Sequence, residues 1–516
     1  MKVNNVLLTA ALAASLVACN NEELPRGGNN AQVDEGTAFA GLYVSAAGKT
    51  TRAIADSQAD HTGRAEESTL TSLDLLSTAQ PQAWGFATAE AAGKFWETAA
   101  DSKVFKVSPW KTTAGEQTMA LLLNKGTLNP NIAAAKTFVF PIAAPSPATD
   151  IATIQALSTD GAFVMTSKVE KKTVLDGKDE ATVKAGTDET ANVFTFDVER
   201  VVAQGLVAKE ATLTADTKDG KGSVNLDNLT YSAVNGGAKT YLFGDNAGER
   251  TITEATGLYK DFKSAIDDFK DFEDAQDPNL VSEYLIRPGA IATANGDNTN
   301  DGLAAYKAIS VSADATAAKA ARGIYFMENS VTKDGATWKK ENKNFGFYRL
   351  AYAKVYATFT PKKVLTLDAT GNLVEEDGTD GMTFYKGETD GLLYKTKDAA
   401  KKSQLAPDQK AYTYTDGKTA YRALWNRQGT TTGTEFTLNN ADVRRNNVYL
   451  LTIEAFQGLG MPWDSSDPND PNLPKPNDPE EPTTPDNPDV EKQDTYMRVE
   501  AKVLPWNLVS RKVTLD

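Results

Sequence analysis

Each end of the chain carries one strand-like segment that stands apart from the rest. Residues 37–47 alternate as a β-strand does. One face carries Ala38, Ala40, Leu42 and Val44, and the other carries Phe39, Gly41, Tyr43 and Ser45. A second alternating segment, 494–515, lies near the C-terminus. Because a single strand can neither pair its own backbone nor bury its apolar face, each segment must dock against a sheet.

A proline-rich stretch separates the C-terminal segment from the body of the chain. Residues 464–489 contain eight of the 21 prolines, with Asp, Asn and Glu between them. This composition favours an extended linker of about 3.1 Å per residue, which would span roughly 80 Å. It lacks the Gly turn and the Glu spacing of known calcium-binding loops. The segment 494–515 can therefore return to its own domain as a last strand or reach a neighbouring molecule, and the sequence leaves both possibilities open.

The first residues predict an export signal and a lipid anchor. Lys2 precedes an apolar run over 6–17, which is too short to span a bilayer and is typical of a secretory signal peptide, here 1–18. The run ends in LVAC (16–19), which resembles a lipobox. In lipoproteins of that type the Cys sulfur is acylated, so Cys19 is the predicted lipidation site that anchors the precursor to a membrane.

The composition argues against most kinds of catalytic or binding site. The chain has one cysteine, Cys19, and one histidine, His61, so it predicts no internal disulfide and no metal site built on His or Cys. His61 lies in a polar stretch that is typical of a solvated loop. The net charge of −15 argues against nucleic acid as a partner. No spacing singles out a catalytic pair of carboxylates, and we expect no catalytic residue, no metal and no cofactor.

The body of the chain predicts mostly β-structure, because its apolar runs are rich in Val, Phe, Tyr, Thr and Ile. The predicted strands are 137–143, 193–203, 238–243, 345–360 and 447–457. Turn sequences such as Asp176-Gly177 and Asp416-Gly417 lie between them. The helical stretches are few: 253–275, with Leu258, Phe262, Ile266 and Phe269 on one stripe, and the Ala-rich 313–322. A domain boundary is expected near the glycines around residue 245.

The two terminal segments suggest one mechanism together. A polar stretch with Arg52 and Arg64 follows the first segment, so a trypsin-like protease could separate that segment from the body. If the first segment fills a groove and is then cut away, the last segment of another copy can take its place by strand addition. Burying about five apolar side chains at roughly 1.5–3 kcal/mol each would drive the exchange. A head-to-tail contact of this kind does not close, so it builds a filament.

Four stretches and the lipobox at Cys19 resemble the fimbrilin family of Bacteroidetes type V pili. The stretches are FDVERVVAQGLVAK (196–209), YRLAYAKVYATFTP (348–361), VRRNNVYLLTIEAFQGLGMP (443–462) and RVEAKVLPWNLVSRKVTL (498–515). None is a catalytic motif. The resemblance implies a mainly β fold with two transthyretin-like Greek-key β-sandwich domains, here 53–245 and 246–463, and a few helical insertions.

The resemblance also implies how the precursor is processed. An Arg-specific protease would cut between Arg52 and Ala53, or alternatively between Arg64 and Ala65. Residues 19–52 would then be a lipidated propeptide that carries the removable strand, in which Phe39, Leu42 and Val44 supply large apolar side chains. Residues 464–493 would be the linker and 494–516 the donor strand for the next subunit. Its apolar residues are Met497, Val499, Ala501, Val503, Leu504, Trp506, Leu508, Val513 and Leu515.

The implied function is that of a structural subunit of an adhesive fimbria, active in adhesion and virulence and without enzymatic activity. The implied partners are copies of the same chain, accessory tip and anchor subunits, the Arg-specific protease, and receptors on host or bacterial surfaces. The precursor would lie on the outer membrane through its lipid, such as palmitate, and the product in an extracellular fimbrium. The alternative is a surface glycan-binding lipoprotein of the outer membrane, which would need neither a protease site nor a detachable strand. A β-sandwich glycosidase is a third hypothesis.

Overall fold

A computed structural model gives the fold of the chain. It describes residues 38–45, 67, 69–85, 95–97, 104–135, 139–140, 156–210, 212–227, 229–234, 236–237, 240–243, 251–252, 259–260, 285–286, 307–308, 323–328, 351–425, 443–462, 500–502 and 507–515. This part of the chain is mainly β-sheet with few helices, which confirms the predicted fold class. The transthyretin-like topology of two domains stays a prediction.

The strands are numbered in chain order. The first fifteen are β1 Ala38–Ser45, β2 Ser72–Ser77, β3 Gln82–Gly85, β4 Phe95–Glu97, β5 Val104–Thr112, β6 Gly115–Leu123, β7 Val139–Phe140, β8 Met165–Ser167, β9 Glu170–Val174, β10 Val193–Arg200, β11 Ala203–Lys209, β12 Gly222–Val224, β13 Thr230–Val234, β14 Gly236–Gly237 and β15 Thr240–Tyr241. The others are β16 Thr251–Ile252, β17 Tyr259–Lys260, β18 Leu285–Ile286, β19 Lys307–Ala308, β20 Ile324–Phe326, β21 Tyr352–Pro361, β22 Lys363–Leu367, β23 Leu373–Asp377, β24 Phe384–Gly387, β25 Leu393–Tyr394, β26 Ala411–Tyr414, β27 Lys418–Leu424, β28 Asn447–Phe456, β29 Met461–Pro462, β30 Glu500–Lys502 and β31 Asn507–Leu515. Two short α-helices, α1 Glu180–Ala185 and α2 Lys397–Lys401, and two 3-10 turns, Glu189–Ala191 and Thr415–Gly417, complete the described elements.

The first sheet contains nine strands from the N-terminal half of the chain. Its order is β3-β2-β6-β8-β10-β1-β5-β4, and β9 pairs with the free part of β6. Strand β6 supplies five consecutive buried residues, 119–123, at the centre of the first hydrophobic core. The predicted removable strand, β1, lies inside this sheet between β10 and β5.

Two strands of the second sheet, β11 and β28, are buried on both faces. The order of this sheet is β20-β11-β28-β31-β30, and β11 and β28 run parallel. Alternate residues of these two strands face different cores, as the two-residue period of a strand requires. The first core takes Leu206, Ala208, Val448 and Leu450. The second core takes Ala203, Val207, Tyr449, Leu451 and Ile453. The sheet is therefore the layer that the two cores share.

Two further sheets are built mainly from strands of the C-terminal half of the chain. One has the order β19-β13-β21-β27-β29, with β12 also paired to β21, and it packs on the second core. The other has the order β23-β22-β25-β24-β26. Asp416 and Gly417, which the sequence predicted as a turn, have φ of 53° and 70° and join β26 to β27. Glycine and aspartate tolerate this left-handed backbone, so the dipeptide can reverse the chain.

The predicted strands are all found, although several are shorter than the sequence suggested. The segment 494–515 forms two strands, β30 and β31, and Pro505 lies between them, outside the described residues. The predicted helix 253–275 is wrong at Tyr259–Lys260, which pair with Thr251–Ile252 as antiparallel strands. Isoleucine and tyrosine favour strands, and this pairing overrides the helical spacing. The rest of that helix, the helix 313–322 and the expected boundary near 245 lie outside the described residues.

Candidate functional site

Strand β1 fills a slot in the middle of the first sheet. It pairs in parallel with β10 from Gly41 to Ser45 and antiparallel with β5 from Ala38 to Ser45. The core-facing side chains Ala38, Ala40 and Leu42 are buried, and Leu42 is 0% exposed. The isolated segment of the sequence is thus a central strand that is hydrogen-bonded along both edges.

The three residues predicted to hold the removable strand differ in their surroundings. Leu42 lies in the first core, as expected. Phe39 is only half-buried, because it lies on the opposite face of the strand. The backbone of Val44 pairs with Phe196 on one side and Phe105 on the other. Among the side chains that the structure describes in this strand, those of Leu42, Ala38 and Ala40 pack into the first core.

A bulge on β5 lies opposite Gly41. Ala40 pairs with Trp110 and Leu42 pairs with Val107, so β5 has one residue more than β1 at this point. Pro109 lies within the bulge. Proline has no N–H to donate to a ladder, and bulges are where sheets accept it.

The N-terminal half of β1 also contacts the segment before β10. Phe39 N donates to Lys178 O at 2.9 Å, and Gly41 N donates to Asn192 O at 2.9 Å. Asn192 Nδ2 donates to Phe39 O at 3.0 Å. The amide of Asn192 is itself fixed by Leu175, because Leu175 N donates to Oδ1 at 2.7 Å and Nδ2 donates to Leu175 O at 2.8 Å. Asn192 is fully buried and has a left-handed φ of 57°.

Helix α1 covers this half of the strand. The Asp179 side chain caps it by accepting from Thr182 N at 2.7 Å. Hydrogen bonds from the side chain and the backbone N–H of Thr182 lower the pKa of Asp179. Val183 is the buried residue of the helix. A Cβ added at Gly41 would lie 2.9 Å from Val183 Cγ1, which is closer than two non-bonded carbon atoms approach each other in proteins. Gly41 is therefore the residue that lets the helix pack against the strand. We call residues 178–192 the strand clamp.

The C-terminal segment docks on its own chain. Strand β31 pairs in parallel with β28 along its whole length, and β30 pairs antiparallel with its outer edge. Of the two possibilities that the sequence left open, the single chain adopts the return to its own domain. Ala501 lies in β30; Leu508, Val513 and Leu515 lie in β31, at the register positions of Val448, Ile453 and Phe456. The other predicted donor residues, Met497, Val499, Val503, Leu504 and Trp506, lie outside the described residues.

The two terminal strands have the same pairing polarity. Strand β1 is parallel to β10 and antiparallel to β5, and β31 is parallel to β28 and antiparallel to β30. A strand with the direction of β31 relative to β28 would therefore have the correct direction relative to β10 in the slot of β1.

A buried polar group surrounds Glu67, the first described residue after β1. Glu67 is 1% exposed; its Oε1 accepts from Tyr325 Oη at 2.5 Å and from Gln204 Nε2 at 3.3 Å. Its backbone oxygen accepts from Arg200 Nε at 2.8 Å. Burial lowers the pKa of Arg200 to about 10, while the carboxylate of Glu67 and Tyr325 oppose that effect. Arg200 Nη1 also donates to Asn446 Oδ1 at 3.2 Å.

A second buried group lies at the start of β28. Arg445 and Glu328 form a two-pronged ion pair, with Nε to Oε2 at 3.0 Å and Nη2 to Oε1 at 2.7 Å. Their side chains are 0% and 3% exposed. Arg445 also donates to Thr240 Oγ1 at 2.8 Å, to Leu242 O at 2.9 Å and to the carbonyl oxygen of Tyr241. Neither polar group was predictable from the sequence, because consecutive arginines and isolated glutamates are typical of a surface.

Asp390 lies in the loop between β24 and β25, and its carboxylate accepts three hydrogen bonds from other side chains. Its Oδ2 accepts from Tyr394 Oη at 2.6 Å, Ser403 Oγ at 2.5 Å and Gln409 Nε2 at 2.6 Å, and its Oδ1 accepts from Leu392 N at 2.9 Å. Burial alone would raise the pKa of Asp390, but these hydrogen bonds together lower it. With both oxygens occupied, this carboxylate connects the loop between β24 and β25 to Ser403 and Gln409, which lie between α2 and β26.

The predicted lipidation and cleavage sites lie outside the residues that the structure describes. They are Cys19, Arg52, Ala53, Arg64 and Ala65. Within the described ranges, no cluster of three or more His, Cys, Asp or Glu side chains has the arrangement of a metal site. No helix in this part of the chain is both long and apolar enough to cross a bilayer.

Residues 412–512 match the family model described as "Major fimbrial subunit protein type IV, Fimbrillin, C-terminal". The C-terminal part of the chain is similar to fimbrillin. The match begins in β26, includes β28 and ends within its docked strand β31. The resemblance to fimbrillin that the sequence suggested is therefore confirmed for this part of the chain.

Three of the solved structures to which the chain is similar are the following. A fimbrilin (fimA) from Porphyromonas gingivalis W83 has 15% sequence identity and a TM-score of 0.39, covering 93% of this chain and 98% of that one. A putative cell adhesion protein from Parabacteroides distasonis has 12% identity and a TM-score of 0.39, with the same coverage of 93% and 98%. The tip fimbrial protein Mfa3 from Porphyromonas gingivalis, with a C-terminal truncation, has 12% identity and a TM-score of 0.27, covering 81% and 95%.

Proposed function

We propose that this chain is a structural subunit of an adhesive fimbria that polymerises by exchange of its N-terminal strand for the C-terminal strand of another copy. The observation that carries the proposal is the position of β1. It is a central strand, yet only residues 46–66 connect it to the body at Glu67, and both predicted cut sites lie within them. A single cut would leave β1 held by non-covalent contacts alone. The match of residues 412–512 to a fimbrial subunit model supports the same function.

Removal of β1 would open a slot with defined chemistry. The facing edges of β10 and β5 would lose their partners, and the apolar positions of Ala38, Ala40 and Leu42 would be exposed. Unpaired edges and an apolar face favour the entry of another strand. An entering strand must run parallel to β10, and segment 494–515 has the corresponding polarity toward β28.

The slot and the edge of β28 offer a strand similar backbone pairing. On its own chain β31 has nine paired positions with β28 and three with β30. In the slot β1 has five paired positions with β10 and seven with β5, so the exchange replaces one set of backbone hydrogen bonds with another of similar size. The contact is head-to-tail and therefore extends into a filament.

The finer parts of the proposal follow from the sequence. Cys19 carries the lipid that holds the precursor on the outer membrane, and an Arg-specific protease cuts after Arg52 or, alternatively, Arg64. The product is the main shaft subunit of a fimbria like the short, or minor, fimbriae of Porphyromonas gingivalis, with accessory tip and anchor subunits as further partners. Receptors on host or bacterial surfaces are the expected binding partners of the fibre.

The test uses the precursor without residues 1–19. It is treated briefly with an Arg-specific protease, and the products are identified by mass spectrometry and on an unheated denaturing gel. We expect a new N-terminus at Ala53 or Ala65 together with a ladder of heat-labile multimers. Deleting residues 494–516 should leave a cut, folded monomer without a ladder. A clean cut of the intact chain that yields no ladder, or a ladder from the deleted chain, would contradict the proposal.

A further inference from the structure

We propose that the strand clamp, residues 178–192, makes the slot specific for a strand with glycine at the position of Gly41, so that helix α1 must move aside before any other strand can enter. The recognition itself concerns β1, which the structure shows in the slot; its consequence for exchange rests on the proposed function. Two kinds of contact carry the inference, one to the backbone of the strand and one to a missing side chain.

The backbone contacts fix where the strand lies. Lys178 and Asn192 bond Phe39 and Gly41 at the main-chain atoms of the strand, so these contacts accept almost any sequence. The buried side chains of the core face, such as Leu42, then fix the register. The side-chain amide of Asn192 is well placed to bind the strand backbone, because two hydrogen bonds with the backbone of Leu175 hold it in position. The one residue that these contacts exclude at the position of Phe39 is proline, which has no N–H to donate to Lys178 O.

The steric contact selects the residue at position 41. In the fixed register a Cβ would lie 2.9 Å from Val183 Cγ1. Val183 cannot easily yield, because the helix that carries it is closely packed at its end. The N–H of Gly186 bonds to Thr182 O and Val183 O, and a Cβ at Gly186 would lie only 2.3 Å from Ala191 Cβ. The clamp is therefore rigid where it meets the strand.

The C-terminal segment does not meet this requirement in any register. Residues 494–516 contain no glycine. Among the small residues, Ala501 is flanked by Glu500 and Lys502, which would point charges into the positions of Ala40 and Leu42. In every register of segment 494–516, the residue at the position of Gly41 would therefore bring a side chain into contact with Val183. Strand β1 fits the slot better than this segment does, and α1 must be displaced before the segment can replace β1.

The experiment combines one added methyl group with the removal of the two γ-methyl groups of Val183, in the precursor without residues 1–19. Gly41→Ala introduces the clash, Val183→Ala makes room for it, and the double variant combines them. After cleavage by the Arg-specific protease, the fraction of β1 fragment that remains bound is followed over time by gel filtration and mass spectrometry. Val174→Ala is the matched control, because Val174 is an equally buried valine in β9 that does not contact Gly41.

The expected result is a pattern of loss and rescue. Gly41→Ala should release the fragment roughly tenfold faster than the unmodified chain, since overpacking a rigid site is destabilising. Adding Val183→Ala should restore retention to within about threefold of the unmodified chain, whereas adding Val174→Ala should not. Retention of the Gly41→Ala fragment at the unmodified rate, or equal rescue by both valine variants, would overturn the proposal.

A second measurement covers the case in which Gly41→Ala does not fold. Peptides of residues 37–46, with glycine or alanine at position 41, are added to the cut unmodified protein. The glycine peptide should replace the fragment and the alanine peptide should not; equal entry of both would contradict the clamp. Neither readout needs a polymer, so the clamp and the proposed function can fail separately. If the function holds, Val183→Ala should also speed the appearance of the multimer ladder.

Discussion

Replacing Glu67 with alanine should redirect proteolysis toward Arg64. In the intact chain Arg64 lies three residues before Glu67, whereas Arg52 lies far from both Glu67 and the end of β1 at Ser45. A protease binds its substrate as an extended segment on both sides of the cut. Cleavage after Arg64 would therefore require Glu67 to leave its buried position, and cleavage after Arg52 would not.

The cost of that opening follows from the contacts of Glu67. Its carboxylate accepts hydrogen bonds from Tyr325 and Gln204, and its backbone oxygen accepts one from Arg200, which is 4% exposed. Withdrawing Glu67 leaves the charge of Arg200 buried without its nearby carboxylate, which costs about 3–5 kcal/mol. At about 1.4 kcal/mol for each factor of ten, cutting at Arg64 should be suppressed roughly 100- to 3000-fold. The rate of proteolysis follows the population of the open form when opening is fast.

The assay measures the two cuts in one time course. Mass spectrometry quantifies the N-termini at Ala53 and Ala65, and an Arg52→Ala background isolates the second cut. Glu67→Ala should raise the rate at Arg64 by at least about tenfold, and Glu67→Gln, which keeps an acceptor for Tyr325, should raise it less. Glu116→Ala is the control, because Glu116 is an exposed glutamate whose ion-pair partner, Lys171, is also exposed.

Two results would refute this reasoning. The first is cleavage of the unmodified chain after Arg64 at a rate within tenfold of that after Arg52. The second is a Glu67→Ala variant whose two rates match those of Glu116→Ala. Either result would mean that the contacts of Glu67 do not restrict the protease.

Three further predictions concern the stability of the fold. Leu42→Ala should destabilise the uncut precursor by about 2–5 kcal/mol in denaturant unfolding, and Phe39→Ala, which removes a half-buried side chain, by less. Arg445→Met should cost about 3–5 kcal/mol because Glu328 stays buried without its ion-pair partner, and a double-mutant cycle with Glu328→Gln should give less than the sum of the single changes. The lowered pKa of Asp390 means that it contributes stability above its unfolded-state pKa, and that this contribution is lost as pH falls through its lower folded-state pKa. In acid unfolding, Asp390→Asn should lack that part of the pH dependence, and an unchanged acid profile would contradict the role of these hydrogen bonds.

Local patterns predicted individual strands well, because side-chain alternation is a local property. Residues 37–47 were predicted as a strand, and β1 spans Ala38–Ser45. The partners of β1 were not predictable, because the strand β10 with which Gly41 pairs at Val193 lies far along the chain. For the same reason the sequence could not decide where segment 494–515 docks. The pairing of β31 with β28 depends on a free sheet edge that no local pattern shows.

The polar part of the candidate site was less predictable. The stretch VRRNN (443–447) contributed only to a family resemblance, yet Arg445 lies in the core and meets Glu328, which is distant in sequence. A buried ion pair needs its partner nearby in space, and one sequence does not give that distance. Gly41 was assigned correctly to the face opposite Leu42. Its closeness to Val183 depends on the packing of α1 over the strand, which is a tertiary contact that no local pattern shows.

The single covalent connection between β1 and Glu67 has a consequence for concentration. While residues 46–66 are intact, a released β1 stays at an effective concentration on the order of millimolar, so it returns to its slot before another strand can compete. Hydrolysis of one peptide bond changes no contact within the sheet. It converts the return of β1 from an intramolecular step into a bimolecular one, and dilution then removes the fragment each time that it dissociates.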